Sequence, residues 1–274
     1  MLDRMKGPVL KSREEIAVMD RANRVVLEIL EILRGMVKPG VTTAQLNAVA
    51  EEELAKRGAK SPFKGYAPMS LPPYPAVVCA SVNDVIVHGI PNRAKLQEGD
   101  IIGLDFGSIL DGFVGDGAVT LGVGKVTPRA EELMRTTKEC LDLAIEEMRP
   151  GRRLGDIGAA VQEHAEKHGF HVIRNFVGHG IGRRMHEEPQ VHNYGKRGRG
   201  LELKEGMVLA IEPMLCEIGP KLRSRIERAG TNGMIQDVRT DNDGWTARTV
   251  DGTLAAHFEH SVAVTANGPM VLGR

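Results

Sequence analysis

The chain repeats one pattern, and this repeat constrains the fold more than any other feature of the sequence. Residues 36–60 and 148–171 each contain a Pro-Gly turn, a stretch with helical periodicity and a glycine that can cap a helix. Farther along, LQEGDIIGLD at 96–105 matches LKEGMVLAIE at 203–212, where a polar turn precedes an apolar strand that ends in a carboxylate. The same features recur in the same order, so two equivalent halves are expected.

A long helix is also predicted before each repeat, over about 12–35 and about 129–148. Each half therefore reads as helix, helix and strands. Halves of about 12–125 and 126–265, related by a pseudo-twofold axis, predict an α+β fold in which four helices back one face of a curved, mostly antiparallel sheet. Because no linker divides the halves, we expect a single domain over residues 1–274.

Composition narrows the class of protein. A formal net charge of zero excludes a molecule whose whole surface attracts nucleic acid or a membrane. The three cysteines, Cys79, Cys140 and Cys216, form no CxxC pair, which argues against a disulfide framework or a thiolate zinc site and favours a reducing compartment. Without a recognisable signal peptide or membrane-spanning run, we expect a cytoplasmic protein that acts without a membrane, as a monomer.

The sharpest local feature is DFGSILDGFVGD, residues 105–116. Asp111-Gly112 predicts a tight turn between two strands. In a symmetric hairpin Asp105 and Asp116 would lie opposite each other, where like charges repel unless a cation lies between them. Two solvated aspartates on an exposed face are the alternative, but the apolar neighbours of both residues favour burial.

A second feature is FVGHGIGRRMHEEPQVH, residues 176–192. Three glycines surround His179, which lets the backbone bend and approach a ligand closely, and His186 follows seven residues later. A Gly-His-Gly segment can equally be a simple turn. A zincin helix is excluded because Gln190 stands where the second histidine of that motif would be.

Three more titratable residues stand at strand ends or turns. Glu212 in IEP ends the strand of the second repeat, and Glu259 in HFEHSVAVT opens an alternating apolar strand, where a buried glutamate needs a partner. His88 precedes a Gly-Ile-Pro turn and could be purely structural. Carboxylates with one imidazole suit two divalent metal ions such as Mn, Fe(II), Co or Zn. The candidate ligands are Asp105, Asp116, His179, Glu212 and Glu259.

In their order, VNDVIVHGIP, DFG…GD, GHGIGRRMHEEP, IEPM and FEHSVAVT resemble the motifs of the type I methionine aminopeptidases, in their bacterial-like form. The resemblance extends from about Ser12 to Val264. It implies the "pita-bread" fold of metallopeptidases, shared with prolidase and aminopeptidase P. It also implies removal of the N-terminal methionine from nascent polypeptides and peptides, and the crowded site is expected to require a small second residue.

The resemblance also implies roles for the candidate ligands. Asp105 would chelate one metal, His179 and Glu212 would hold the other, and Asp116 and Glu259 would bridge both. A water or hydroxide between the metals would attack the scissile carbonyl, and Glu212 could shuttle its proton.

Substrate contacts follow from the same resemblance. His88 and His186 would hydrogen-bond the peptide and the developing oxyanion. Met185 and Leu71 depart from the aromatic residues common in the family, and both leave the methionine pocket apolar. Residues expected to line that pocket are Tyr74, Cys79, Met185, Trp245 and Phe258.

A surface insertion over about 216–244 is longer than is usual in type I enzymes. It contains KLRSRIER at 221–228 and GTNG at 230–233, and we expect an extended hairpin. Its basic residues, with those flanking His186, could form a positive collar that docks on the ribosome through phosphate contacts. Solvated loop charges are the alternative. The basic residues are Arg183, Arg184, Lys196, Arg197, Arg199, Lys221, Arg223, Arg225 and Arg228.

Two other functions remain open from the residues alone. A proline-specific peptidase of the same fold usually has a separate N-terminal domain, for which the repeat starting near residue 12 leaves no room. A non-catalytic peptide-binding relative would have lost metal ligands, whereas all five candidates are present here.

Overall fold

The computed structural model describes residues 7–68, 71–229 and 235–274. The helices are α1 (Arg13–Met36), α2 (Thr43–Lys56), α3 (Pro128–Glu146), α4 (Leu154–Lys167) and α5 (Pro220–Ala229). The strands are β1 (Val78–Val82), β2 (Val85–Val87), β3 (Ile101–Leu110), β4 (Phe113–Gly122), β5 (His171–Val172), β6 (Gly178–Gly180), β7 (Glu187–Val191), β8 (Val208–Ile211), β9 (Met214–Cys216), β10 (Val238–Thr240), β11 (Ala247–Thr249), β12 (Ala255–His257), β13 (Glu259–Thr265) and β14 (Gly268–Val271).

Local signals explain where the helices begin. Ser12 and Glu15 form a capping box at α1, and the Thr42 hydroxyl caps α2 in the same way. The Thr127 hydroxyl accepts from the Ala130 amide at the start of α3, where Pro128 occupies the first helical position. None of these helices, within the described part of the chain, is long and apolar enough to cross a membrane.

The main sheet confirms the predicted α+β fold. Its strands run in the order β1-β3-β4-β13-β8-β6-β7, with β14 paired to β13, and neighbouring strands are antiparallel. Strands of the two sequence halves meet where β4 pairs with β13, and Ala118 lies opposite Glu259 there. One hydrophobic core packs around α1 and α2, and a second packs around α3 and α4.

The β3–β4 hairpin corrects one expectation. Asp105 lies opposite Ala118, and Asp116 lies opposite Gly107, so the two aspartates are offset by two residues rather than facing each other. The two-residue turn sets this register because Asp111 and Gly112, with φ of 50° and 77°, pair Leu110 with Phe113. Side chains alternate along a strand, so both aspartates still point to the same face of the sheet.

The insertion corrects a second expectation. Residues 220–229 form the helix α5 and not an arm of an extended hairpin. The carboxylate of Asp251 accepts hydrogen bonds from the amides of Lys221 and Leu222 and so stabilises the helix start. Leu222 is buried, which anchors the helix on the protein. GTNG at 230–233 lies outside the described residues.

Candidate metal centre and substrate cavity

Five strands or strand ends bring the candidate ligands to the floor of one cavity of about 310 Å³. Asp105 and Asp116 come from the β3–β4 hairpin, His179 from β6, and Glu212 follows β8. Glu259 opens β13, between the strands that carry the others. The His179 Nε2 atom lies 3.5 Å from Glu212 Oε1 and 3.8 Å from Asp116 Oδ2. The distances allow these side chains to share a bound cation.

Carboxylate oxygens in this cluster lack hydrogen-bond partners. The buried atoms Asp105 Oδ1, Asp116 Oδ1 and Glu259 Oε1 have none among the described residues. Burial raises the pKa of Asp105 to about 7 and that of Glu212 to about 8. No lysine or arginine is among the described residues that line the cavity. These buried carboxylate oxygens have no cationic side chain near them. A bound divalent cation would supply the missing partner.

His179 is held as a neutral, oriented imidazole. Its Nδ1 atom lies 3.0 Å from the carbonyl oxygen of Gly180, so an Nδ1–H can donate there and leave the Nε2 lone pair facing the carboxylates. Burial lowers the pKa of His179 to about 3. A Cβ atom at Gly180 would come within 2.2 Å of the Glu188 carbonyl oxygen, so this close approach of β6 and β7 requires glycine.

Two further histidines lie above the carboxylates in the same cavity. His88 has a positive φ of 60° and makes edge-to-face contacts with Phe176 and Trp245. Burial lowers the pKa of His88 to about 4. The Nδ1 atom of His186 lies 3.2 Å from the Tyr66 hydroxyl, which leaves its Nε2 atom for other partners. Both imidazoles can therefore hydrogen-bond a ligand without adding positive charge.

An apolar wall closes one side of the cavity. Tyr74, Cys79, Met185 and Trp245, which the sequence predicted as pocket residues, pack there with Phe63. The polar tips of the large aromatic rings are bonded to the protein. The Tyr74 hydroxyl donates to the Gly89 carbonyl at 2.9 Å, and the Trp245 indole donates to the Pro72 carbonyl at 2.8 Å. Their apolar surfaces remain to contact a ligand.

Phe258 is the exception among the expected pocket residues. It packs against both hydrophobic cores on the helix side of the sheet and does not line the cavity. Phe258 stands between β12 and β13 in extended chain, so its side chain points away from the face that His257 and Glu259 share.

Sequence reasoning missed several residues of the cavity. Phe63, Tyr66 and Phe176 carry no local signal because they lie in irregular segments without a periodic pattern. His257 also reaches the carboxylate cluster, with its Nε2 atom 3.6 Å from Glu212 Oε2. Its spacing of two residues from Glu259 was the available signal, since such residues share a face.

Comparisons with known proteins agree on one family. The model of "Metallopeptidase family M24" matches residues 17–266. A methionine aminopeptidase of Aquifex aeolicus is 46% identical over 269 residues, covering 96% of this chain and 97% of the relative. A methionine aminopeptidase of Escherichia coli K12 is 41% identical, covering 96% of this chain and 92% of the relative.

Solved structures extend the comparison. Methionine aminopeptidase from Thermotoga maritima superposes with a TM-score of 0.88 at 41% identity, covering 97% of this chain and 99% of that one. Prolidase from Pyrococcus furiosus superposes with a TM-score of 0.72 at 19% identity, covering 97% of this chain and 66% of that one. This likeness shows only that the two chains share a fold.

Proposed function

Given that the chain belongs to metallopeptidase family M24, as a methionine aminopeptidase of type I in its bacterial-like form, we propose that it releases the first methionine of nascent chains through two divalent metal ions. The observation that carries the two-metal proposal is the cluster of four carboxylates and His179 with unpartnered oxygens at the floor of an apolar cavity. Because the proposed substrates are nascent chains, the proposed site of action is the cytoplasm.

Each cation would have its own ligands and two shared ones. Asp105 would hold one cation, and His179 with Glu212 would hold the other. Asp116 and Glu259 lie between these groups and would bridge both. Oxygen ligands with imidazole suit Mn, Fe(II), Co or Zn. When bound, such cations acidify water and polarise a carbonyl group.

The surrounding side chains would position and protonate the substrate. The Glu212 carboxylate can accept the proton of the attacking water and return it to the departing amine. His186, whose Nδ1 faces Tyr66, can donate from Nε2 to the oxyanion that develops on the scissile carbonyl. His88 lies across the cavity and can hydrogen-bond the peptide backbone.

The apolar wall supports selection of methionine. A thioether fits among Phe63, Tyr74, Cys79 and Trp245 without an unpaired polar group, whereas a charged side chain would be desolvated. Tyr66 and His186 crowd the mouth, where the second residue of a substrate would lie, and so favour glycine, alanine or serine there.

A panel of peptides tests the function. We expect hydrolysis of Met-Ala-Ser, loss of activity with a chelator, and recovery with added Mn²⁺ or Co²⁺. Metal analysis should find two ions per active chain. Cleavage of Xaa-Pro peptides in preference to Met-Ala-Ser would favour a proline-specific peptidase. Binding of the peptides without hydrolysis at any metal concentration would favour a non-catalytic relative.

The exposed face of α5 supports contact with ribosomal RNA. Lys221, Arg223 and Arg228 are exposed there, and none has an ion-pair partner among the residues that the structure describes. The other basic segment supports it less, because two of its five basic residues are engaged in ion pairs. Arg197 pairs with Glu147 and Glu163, and Arg183 pairs with Glu15. We therefore assign the docking surface to α5 alone and not to a ring around the cavity.

A further inference from the structure

His257 is the last residue of β12 and is almost completely buried beside the carboxylate cluster. Thr120 holds its backbone on both sides. The His257 amide donates to the Thr120 hydroxyl oxygen at 2.9 Å, and that hydroxyl donates to the His257 carbonyl at 2.7 Å. The backbone that carries the imidazole is therefore fixed, and the ring extends towards Glu212 and Glu259.

The Nε2 atom of His257 is buried and has no hydrogen-bond partner among the described residues. The carboxylate oxygens Glu212 Oε2 and Glu259 Oε2 lie 3.6 Å and 4.0 Å away, too far for a direct hydrogen bond. Leaving a buried polar atom without a partner is destabilising, so such atoms usually meet a group that satisfies them.

The distances match those of two ligands that share an ion. Atoms bound to one cation at about 2.0–2.2 Å lie roughly 3–4.4 Å apart. His179, the candidate imidazole ligand, lies 3.5 Å and 3.8 Å from its carboxylate neighbours, so His257 has the same geometry on the other side of Glu212. The ligand atoms of Glu212, His257 and Glu259 all lie within 4.8 Å of one another.

We propose that His257 Nε2 is a second imidazole ligand, binding the cation that Glu212 and Glu259 hold, an inference that rests on the proposed metal centre. The centre then has two nitrogen ligands rather than one. Nitrogen ligands favour Zn²⁺, Co²⁺ and Fe²⁺ over Mn²⁺ and Mg²⁺, so His257 would shift the choice of metal towards the former group.

X-ray absorption of the protein loaded with two equivalents of Co²⁺ counts imidazole ligands directly. The wild type should show two imidazoles shared by two ions, and His257→Gln should show half that signal. Calorimetric titration of the metal-free variant should give a Co²⁺ affinity lower by about 10-fold or more at one site, with a smaller loss for Mn²⁺. His192→Gln, which changes an exposed histidine, is the matched control and should behave as wild type.

Thr120→Val offers a second measurement if His257→Gln folds poorly. It removes the hydroxyl that holds the His257 backbone and should weaken Co²⁺ binding, whereas Thr120→Ser should not. An unchanged imidazole signal and Co²⁺ affinity in His257→Gln would overturn the proposal while leaving the two-metal centre intact. Failure of the wild type itself to bind two ions would instead overturn the proposed metal centre.

Discussion

The ammonium group of Lys11 donates a 2.8 Å hydrogen bond to the carboxylate of Glu187, and these side chains are only 3% and 6% exposed. The Lys11 amide also donates to the Gly206 carbonyl, so the segment before α1 is held on the second half of the chain. Glu187 follows His186 directly and accepts the Arg184 amide at 3.1 Å. This buried ion pair therefore supports the loop that carries His186, the histidine proposed to contact the substrate.

Lys11→Met should lower the free energy of unfolding by about 3–5 kcal/mol, because it leaves the Glu187 carboxylate buried and unpaired. Urea denaturation measures the change. The double variant Lys11→Met/Glu187→Leu should recover most of the loss. A double variant as unstable as the single one would contradict this account.

The same pair should make stability depend on pH. Burial acts to raise the pKa of Glu187, but hydrogen bonds from Lys11 and the Arg184 amide outweigh it and hold that pKa below 4.5. The stabilisation is thus present above the ordinary pKa of glutamate and is lost as pH falls through the lowered value. The free energy of unfolding of the wild type, relative to that of the double variant, should therefore fall as the pH drops below about 4. A constant difference from pH 7 to pH 3 would argue against it.

Loss of a bridging carboxylate should disable the centre. Asp116→Asn or Glu259→Gln should lower turnover of Met-Ala-Ser by at least about 100-fold and reduce bound metal below two ions per chain. Glu131→Gln, in the first turn of α3, is the control and should keep both the turnover and the two bound metal ions of the wild type. Unchanged turnover of Asp116→Asn at saturating metal would rule out the bridging role.

Metal binding should stabilise the fold. The buried carboxylates repel one another without a cation, and a ligand at about 100 times its Kd adds about 2.7 kcal/mol to the free energy of unfolding. Differential scanning fluorimetry should therefore show a higher Tm with Mn²⁺ than with a chelator. Asp116→Asn should lose this shift, and Glu131→Gln should retain it.

The cavity should discriminate at the second residue of the substrate. We expect kcat/KM for Met-Leu-Ser to be lower than for Met-Ala-Ser by about 10-fold or more, because the larger side chain meets Tyr66 and His186. By this rule the chain should keep its own Met1 before Leu2, two residues outside the described ranges. Intact-mass measurement of untagged protein checks it, and a mass that starts at Leu2 would count against the rule.

Docking through α5 should depend on charge. Arg223→Glu/Arg228→Glu should weaken cosedimentation with ribosomes and flatten its dependence on salt, with hydrolysis of tripeptides intact. Arg13→Glu/Arg34→Glu makes the same change in charge on α1 and should leave binding as it is. Binding of wild type that does not respond to salt would exclude phosphate contacts.

Local chemistry in the sequence was enough to predict helices α1 to α4, the hairpin turn and the residue types of the centre. Ser12 with Glu15 satisfies the first amides of α1, and Asp111-Gly112 allows the positive φ angles of a two-residue turn. These signals depend on neighbours in the chain and need no knowledge of the fold. The repeat added the equivalence of Asp105 and Glu212, although the structure places Asp105 within β3 and Glu212 just after β8.

Only the tertiary structure decided which side chains share a space. The register of β3 and β4 offsets Asp105 from Asp116, and Phe258, between β12 and β13, packs against the hydrophobic cores rather than in the cavity. Asp251, distant in sequence, stabilises the start of α5, which local periodicity did not predict. His257 meets Glu212 because β12 pairs with β9 and β13 with β8. Such contacts arise from strand pairing over long stretches of chain, which local signals in a single sequence do not determine.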